Sequence, residues 1–274
     1  MGGTAMSDFA FKRVWGPCPA YPNVLSYQRN DDKFIVISGP CSVENEKQIH
    51  FTAGYVASQG ATHLRGGVFR AGTYPGKNFG WINEDLIAAY SNAAKSAGLK
   101  NIIEVLDYRD LDFISKYTDC FQVGCRQMQN YTLLMELGKY KKPVFLKRHP
   151  GSTLDEFLGA AEHLLVGGVS ELYLIERGSS THLNHVRWDL SISMIPTIKN
   201  ITKIPIICDA SHGTGRRDLV IPMALAGIAA GANGILVETH PDPDKSLSDA
   251  EQAIGFLEFR ALMYKANKVR SAIS

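Results

Sequence analysis

The sequence predicts an α/β protein folded as a closed (β/α)8 barrel, the TIM-barrel class. Short apolar runs alternate with longer helical patterns along most of the chain. The runs are apolar at successive residues, as expected for parallel strands that are covered on both faces. Eight strand–helix units are also the number that closes such a barrel. The alternative is an open doubly wound sheet, which usually has fewer strands and carries a glycine fingerprint after its first strand that this sequence lacks.

The predicted elements alternate regularly from residue 33 onward. The predicted strands are Phe34–Ile37, Thr62–Arg65, Ile102–Leu106, Cys120–Val123, Pro143–Lys147, Leu172–Ile175, Ile204–Cys208 and Gly234–Val237. The predicted helices are Glu44–Ser58, Glu84–Ala97, Leu111–Lys116, Tyr131–Leu137, Leu154–Leu165, Ile192–Lys199, Leu219–Ala230 and Ala250–Asn267. Residues 1–32 contain several prolines and no periodic pattern. We therefore expect an irregular N-terminal arm over residues 1–32 and a catalytic barrel over residues 33–274.

Composition excludes several classes of partner. The chain has 274 residues, a net charge of +2 and 45% hydrophobic residues, so it can bury a large core. The small net charge argues against nucleic acid or a membrane surface as a partner. No apolar run approaches the ~20 residues that span a bilayer. The five cysteines lack paired spacing, and the first residues lack a signal-peptide pattern, so we expect a reduced, cytoplasmic protein.

Cations follow four different predicted strands. In a (β/α)8 barrel, the strand ends form the mouth where the active site lies. Fixed positive charges that converge there would bind a compact anion carrying both a phosphate and a carboxylate. The four cations are Arg65, Arg126, Lys147 and Arg177.

A second group of side chains suits a metal ion. Cys41, His212, Glu238 and Asp249 follow strands that neighbour one another across the closure of the barrel, and we expect Asp249 to start the last helix. A thiolate, an imidazole and two carboxylates accommodate several divalent ions, and we expect Mn²⁺, with Fe²⁺, Co²⁺ or Zn²⁺ as alternatives. A metal site beside an anion pocket predicts metal-assisted chemistry on a small phosphorylated substrate.

Seven motifs, in this order, resemble those of the 3-deoxy-7-phosphoheptulonate (DAHP) synthases. The likeness is strongest to their short form, which is related to 3-deoxy-octulosonate 8-phosphate synthase. It extends from about Phe34 to Leu257, nearly the whole chain. The motifs lie at residues 39–44, 64–67, 122–130, 142–148, 176–178, 209–218 and 238–249.

The resemblance implies a reaction and roles for residues. Phosphoenolpyruvate would condense with an aldose phosphate, erythrose 4-phosphate in the family, and inorganic phosphate would be released. By this resemblance, the four residues that suit a metal ion match the family's metal ligands: Cys41, His212, Glu238 and Asp249. The four cations that follow the strands match the residues that hold phosphoenolpyruvate. Cys41, His212, Lys147 and Arg70 match positions that act in catalysis. The family is usually a homo-oligomer, so we expect a dimer or a tetramer.

One segment departs from the family pattern. Where the family usually carries Lys-Pro-Arg-Thr-Ser, this chain reads Arg-Ala-Gly-Thr-Tyr from Arg70. Arg70 stays charged and is a poor proton donor, so the role of the family's lysine as a general acid does not transfer to it. Gly72 replaces the arginine that would bind the phosphate of the aldose, whereas Thr73 is kept as a substrate contact. Lys77 is a candidate for the missing phosphate contact.

Three hypotheses follow. The first is an ordinary DAHP synthase in aromatic biosynthesis, in which Lys77 binds the acceptor phosphate. The second is a paralogous synthase that condenses phosphoenolpyruvate with a different aldehyde, phosphorylated or not, in a specialised pathway. The third is an inactive barrel kept as a binding subunit, which the complete set of metal and phosphoenolpyruvate residues argues against. We also expect no inhibition by aromatic amino acids through a separate regulatory domain.

Overall fold

Eight parallel strands close into a barrel in the computed structural model, which describes residues 21–29, 31–68 and 84–273. Each strand pairs in parallel with the next, and the eighth pairs with the first. The strands are β1 (Ile35–Gly39), β2 (His63–Arg65), β3 (Lys100–Val105), β4 (Cys120–Val123), β5 (Val144–Lys147), β6 (Leu172–Glu176), β7 (Ile206–Asp209) and β8 (Gly234–Glu238). The predicted (β/α)8 barrel is confirmed, and the open sheet is wrong.

Helices surround the barrel. In chain order they are α1 (Pro22–Ser26), α2 (Glu46–Ser58), α3 (Glu84–Ser96), α4 (Leu111–Ile114), α5 (Tyr131–Leu137), α6 (Leu154–Val166), α7 (Met194–Ile201), α8 (Ala210–Thr214), α9 (Arg217–Ala229) and α10 (Phe256–Ile273). Within the described ranges, no helix combines the length and the apolarity needed to cross a bilayer.

The predicted last helix starts too early. We expected it at Ala250, with Asp249 at its beginning, but α10 starts at Phe256. Asp249 instead lies in a turn with a φ of 49°, a conformation that few residues other than glycine adopt. After the turn the chain runs beside the end of β8, where Ile254 bridges to Thr239. Burial of Ile254 there, which local sequence does not encode, delays the helix.

A short helix lies in the region that we predicted to be irregular. Pro22 occupies the first turn of α1, where its missing N–H costs nothing. The Glu162 carboxylate on α6 accepts hydrogen bonds from the backbone N–H groups of Asn23 and Val24, at 3.1 and 2.9 Å. The Val24 side chain is fully buried in the main core. Tertiary contacts therefore stabilise a helix too short to be read from periodicity.

The core has two layers, one inside the barrel and one between the strands and the helices. Strand residues point alternately into the two layers, which explains why all five residues of β1 are buried. The interior layer consists of Ile35, Ile37, Ile102, Cys120, Phe145, Tyr173, Ile175, Ile207 and Leu236.

His63 lies at the edge of this interior layer, with its ring centroid 5.5 Å from that of Phe145. Its Nδ1 atom is 2.8 Å from the Thr62 hydroxyl. Burial, together with the positive charge of Lys100, lowers the pKa of His63 to about 4. The ring is therefore neutral in the folded protein near neutral pH, whereas it titrates at about 6.5 in an unfolded chain.

This difference in pKa predicts a loss of stability in acid. Between pH 6.5 and 4 the unfolded chain binds a proton at His63 that the folded chain does not, so stability falls as pH falls. The loss between pH 6.5 and 5 is about 2 kcal/mol. We expect His63→Gln to lower the melting temperature at pH 7.5, with a gap to the wild type that narrows by pH 5. A gap that stays constant from pH 7.5 to 5 would contradict a neutral buried His63.

Candidate active site

Three possible metal-binding atoms meet where β1 and β8 end. The donor atoms of Cys41, Glu238 and Asp249 all lie within 4.8 Å of one another. The Cys41 thiol is 3.1 Å from Oδ2 of Asp249. Cys41 is 4% exposed and Glu238 is fully buried, so neither donor is an ordinary surface group. Ligands bound at ~2.0–2.3 Å around one ion are separated by such distances.

His212 approaches the same point from β7. It lies on α8, a short helix that we did not predict, and Asp209 accepts a hydrogen bond from the His212 backbone N–H at the start of that helix. The imidazole Nδ1 is 3.0 Å from the Asp209 carboxylate, and Nε2 is 3.2 Å from Glu238 Oε1. In the neutral imidazole, with its proton on Nδ1 donated to Asp209, the Nε2 lone pair is directed towards the cluster, and this is the form that binds a metal ion. Such a carboxylate commonly orients a histidine that binds a metal ion.

Asp209 ends β7, and we assigned it no role from the sequence. The signal was its position three residues before His212, which places the two side chains together in a tight turn. The Asp209 carboxylate also lies 3.0 Å from Nζ of Lys147. One buried carboxylate thus holds both a candidate metal ligand and a candidate substrate cation.

Charge pairing keeps the buried carboxylates ionised. Burial opposes the charge of Glu238, but His212 and Arg65 outweigh it and hold the pKa of Glu238 well below its usual value. Burial likewise opposes the charge of Asp209, and there His212 and Lys147 lower the pKa. An anionic Glu238 is the form that binds a cation. The thiol, imidazole and carboxylate set therefore fits a divalent transition metal.

A single cavity borders Cys41, His212 and Asp249 and is lined by all four predicted cations. Arg65, Lys147 and Arg177 are buried, whereas Arg126 is exposed. Arg177 lies over the ring of Trp188, 5.5 Å from its centroid. The predicted convergence of the four cations is therefore observed. The lining residues include Cys41, Arg65, Glu104, Gln122, Cys125, Arg126, Lys147, Arg177, Arg187, His212 and Asp249.

Lys147 and Arg148, adjacent in the sequence at the end of β5, point to opposite sides of the strand. Lys147 faces the cavity, whereas Arg148 does not line it. The Arg148 guanidinium instead binds both oxygens of Glu176, which is fully buried at the end of β6. Alternation along a strand explains why only one of two adjacent cations is available to a substrate.

Two lining residues were missed by sequence reasoning. Glu104, on β3, accepts a hydrogen bond of 3.3 Å from Gln122, and a Cβ at Gly124 would lie 1.9 Å from its Oε1 atom. Gly124 therefore gives the Glu104 carboxylate room at the cavity. Arg187 lies in the long connection after β6, which local patterns left unassigned. Of the residues that we singled out in the atypical segment, Arg70, Gly72, Thr73 and Lys77 lie outside the described residues.

Glu44 and His240 form a partly buried pair that holds the loop carrying Asp249. Glu44 accepts a hydrogen bond from the Leu247 backbone N–H at 2.9 Å, and its carboxylate lies 3.3 Å from His240 Nε2. The neighbouring hydroxyls of Ser42 and Ser248 are 2.7 Å apart. These contacts join the β1 end to the residues just before Asp249. They stabilise the left-handed conformation that brings its carboxylate to Cys41.

The fold and the site together define an enzyme architecture, a (β/α)8 barrel with a cationic cavity beside a cluster of metal donors. The sequence pattern of the DAHP synthetase I family matches residues 25–274. This chain belongs to the DAHP synthetase I family, as the motifs indicated.

Individual proteins that resemble this chain belong to the same family. Phospho-2-dehydro-3-deoxyheptonate aldolase of Thermotoga maritima is 40% identical over 240 residues, which are 88% of this chain and 71% of that protein. A crystal structure of that enzyme (DAHP synthase) from T. maritima has a TM-score of 0.85 and covers 89% of this chain. A truncated form of 3-deoxy-D-arabino-heptulosonate 7-phosphate synthase from the same organism has a TM-score of 0.82, covering 89% of this chain and 88% of that one.

A more distant relative belongs to the related group that the motifs suggested. The 2-dehydro-3-deoxyphosphooctonate aldolase of Desulfotalea psychrophila is 28% identical over 269 residues, covering 87% of this chain and 90% of that protein.

Asp209→Asn should weaken metal binding. The amide is nearly isosteric but removes the charge that orients His212, so we expect the affinity for Mn²⁺ or Co²⁺ to fall about 10- to 100-fold. Calorimetric titration of the metal-free protein would measure this loss, and circular dichroism would check that the barrel is intact. Unchanged affinity in a folded variant would show that Asp209 does not orient a ligand.

Glu44→Ala should also weaken metal binding, by releasing the loop before Asp249. We expect a smaller loss, about 3- to 10-fold, because the Ser42–Ser248 contact remains. Glu46→Ala is a matched control, since Glu46 is an exposed carboxylate two residues further on whose nearest ion-pair contact, to His50, is 3.9 Å. Equal effects of the two substitutions would refute a fastening role for Glu44.

Proposed function

We propose that this protein is a metal-dependent DAHP synthase. It condenses phosphoenolpyruvate with erythrose 4-phosphate, forms a 3-deoxy-2-ulosonate phosphate and releases inorganic phosphate. The observation that carries this proposal is one cavity lined by Arg65, Lys147 and Arg177 beside the thiol of Cys41 and the imidazole of His212. Similarity to the T. maritima enzyme over most of both chains supports the same reaction.

The cations bind phosphoenolpyruvate in this proposal. Its phosphate and carboxylate are two anionic groups on a compact frame, which several fixed cations hold in one orientation. Arg65 and Lys147 are already held by Glu238 and Asp209, so little side-chain freedom is lost on binding. Arg126 and Arg177 complete the set. The substrate is thereby oriented with C3 towards the acceptor.

Cys41, His212, Glu238 and Asp249 are the proposed ligands of a divalent ion, with Mn²⁺ as the first candidate. Such an ion would act as a Lewis acid towards the carbonyl oxygen of the acceptor. Lys147 is a buried cation beside the site and stabilises negative charge as it develops. We assign the same electrostatic role to Arg70, because a guanidinium keeps its proton throughout the reaction.

Two further properties belong to the proposal. A reducing compartment, the cytoplasm, suits a thiolate ligand at Cys41, and the four cysteines in the described ranges are not joined in disulfides. We also propose a homo-oligomer, a dimer or a tetramer. Exposed apolar side chains on α2 and α10, including Phe51 and Leu257, support it. The domain division proposed is an arm over residues 1–32 and one barrel over residues 33–274.

A second candidate is a synthase with an unphosphorylated acceptor. The observation that favours it is Gly72, at the position where the family's arginine would bind the acceptor phosphate. This alternative keeps the phosphoenolpyruvate and metal sites unchanged.

Phosphate release from phosphoenolpyruvate tests the proposal. With Mn²⁺ and erythrose 4-phosphate we expect turnover that stops after chelation with EDTA and returns when Mn²⁺ is added. Cys41→Ala should reduce kcat/KM by at least about 100-fold, since a metal ligand is lost. Turnover with other aldehydes and none with erythrose 4-phosphate would favour the second candidate. No release with any aldehyde would refute both.

A further inference from the structure

We propose that Arg187 binds the phosphate of the aldose acceptor and so determines the specificity for a phosphorylated aldehyde. This inference rests on the proposed function and adds to it a residue that the sequence motifs did not indicate. It follows from the position, the free charge and the fixed backbone of Arg187.

Of the described residues, Arg187 is the cation lining this cavity that phosphoenolpyruvate leaves unused. It lines the same cavity as Cys41, Asp249 and the four proposed phosphoenolpyruvate residues. Phosphoenolpyruvate brings two anionic groups, which those four cations match. A second substrate with a phosphate brings another dianion, and its binding beside the first requires a further positive charge. Arg187 supplies that charge at the exposed side of the site.

The guanidinium of Arg187 has its hydrogen-bond donors available. Among the residues that the structure describes, no carboxylate forms an ion pair with it. Two nearby arginines differ in this respect, since Arg216 pairs with Asp218 at 2.6 Å and Arg217 pairs with Asp244 at 2.8 Å. A free guanidinium can bind a phosphate through two parallel hydrogen bonds.

Backbone contacts fix the position of Arg187. Its N–H donates to the Thr214 carbonyl at 2.8 Å, just after His212. Two residues further along, Asp189 pairs with Ser179 through hydrogen bonds of 2.8 and 3.0 Å. The long connection after β6 is therefore tied to α8 at Arg187 itself and, two residues further along, to Ser179 just after β6. Because the backbone is already fixed, only the side chain of Arg187 has to be ordered when it binds a ligand.

Two glycines make room for this arrangement. Gly215 has a φ of 69°, and a Cβ there would lie 2.7 Å from Cβ of Arg187. Gly178 has a φ of 100°, and a Cβ there would lie 2.6 Å from Cβ of Trp188. Any other residue at either position would push the 187–188 segment outward. The segment therefore approaches the end of the barrel as closely as the backbone allows.

Trp188 links Arg187 to the phosphoenolpyruvate site. Its ring lies under the guanidinium of Arg177, one of the four proposed phosphoenolpyruvate cations. Residues 187–188 thus contact both proposed substrate sites: Arg187 supplies a cation for the acceptor, and Trp188 packs against Arg177, a cation for phosphoenolpyruvate. This arrangement offers an acceptor contact that differs from the family position occupied here by Gly72. Lys77 is the rival candidate.

Steady-state kinetics with two acceptors test the proposal. Erythrose 4-phosphate and erythrose carry the same aldehyde and differ in the phosphate. We expect Arg187→Ala to lower kcat/KM for erythrose 4-phosphate about 10- to 100-fold, the loss of one charged hydrogen-bonding partner, and to leave the value for erythrose nearly unchanged. The KM for phosphoenolpyruvate and the affinity for Mn²⁺ should not change. Arg260→Ala, an exposed arginine on α10 outside the cavity, is the matched control.

Calorimetric binding of erythrose 4-phosphate to the Mn²⁺-loaded protein provides a readout without turnover. Arg187→Ala should weaken this binding by a similar factor, whereas Lys77→Ala should not. Equal losses with both acceptors, or weakened binding in Lys77→Ala alone, would overturn the proposal. If the wild type fails to release phosphate from phosphoenolpyruvate, the proposed function fails. The comparison of binding still decides the role of Arg187 in that case.

Discussion

β1 and β8 pair in parallel over five residue positions, from Ile35 opposite Gly234 to Gly39 opposite Glu238. This pairing closes the barrel and brings the residues after β1 next to those that end β8. A shift of one residue would turn Glu238 from the interior to the outside. Gly39 is required at the end of β1, because a Cβ there would lie 2.1 Å from the Arg65 carbonyl oxygen. The cluster of metal donors depends on this register.

Paired buried charges connect the two halves of the site. Arg65 with Glu238, and Lys147 with Asp209, each join a proposed phosphoenolpyruvate cation to a carboxylate at the metal cluster. Removing one partner of such a pair would leave an uncompensated buried charge, at a cost of about 3–5 kcal/mol. The same contacts hold the side chains in place before any substrate arrives. Stability and preorganisation therefore arise from the same residues, and a variant that affects one affects the other.

Local sequence was sufficient to predict the strands and to identify the functional side chains at their ends. The apolar runs predicted all eight strands, and the barrel geometry then placed Cys41, Arg65 and Lys147 at one end. Two features depended on contacts between distant segments. Asp249 lies in a strained turn fixed by Glu44, 205 positions earlier in the numbering. Arg187 reaches the cavity because the connection after β6 is tied to Thr214.

The central claim is that one end of the barrel binds a metal ion and phosphoenolpyruvate side by side. A crystal structure of the protein soaked with Mn²⁺ and phosphoenolpyruvate, with anomalous scattering recorded at the manganese edge, tests it most directly. We expect one strong peak within about 2.5 Å of the donor atoms of Cys41, His212, Glu238 and Asp249. We also expect phosphoenolpyruvate beside this peak, in contact with Arg65 and Lys147. Manganese bound elsewhere, or phosphoenolpyruvate outside this cavity, would show that the two do not bind side by side at this end of the barrel.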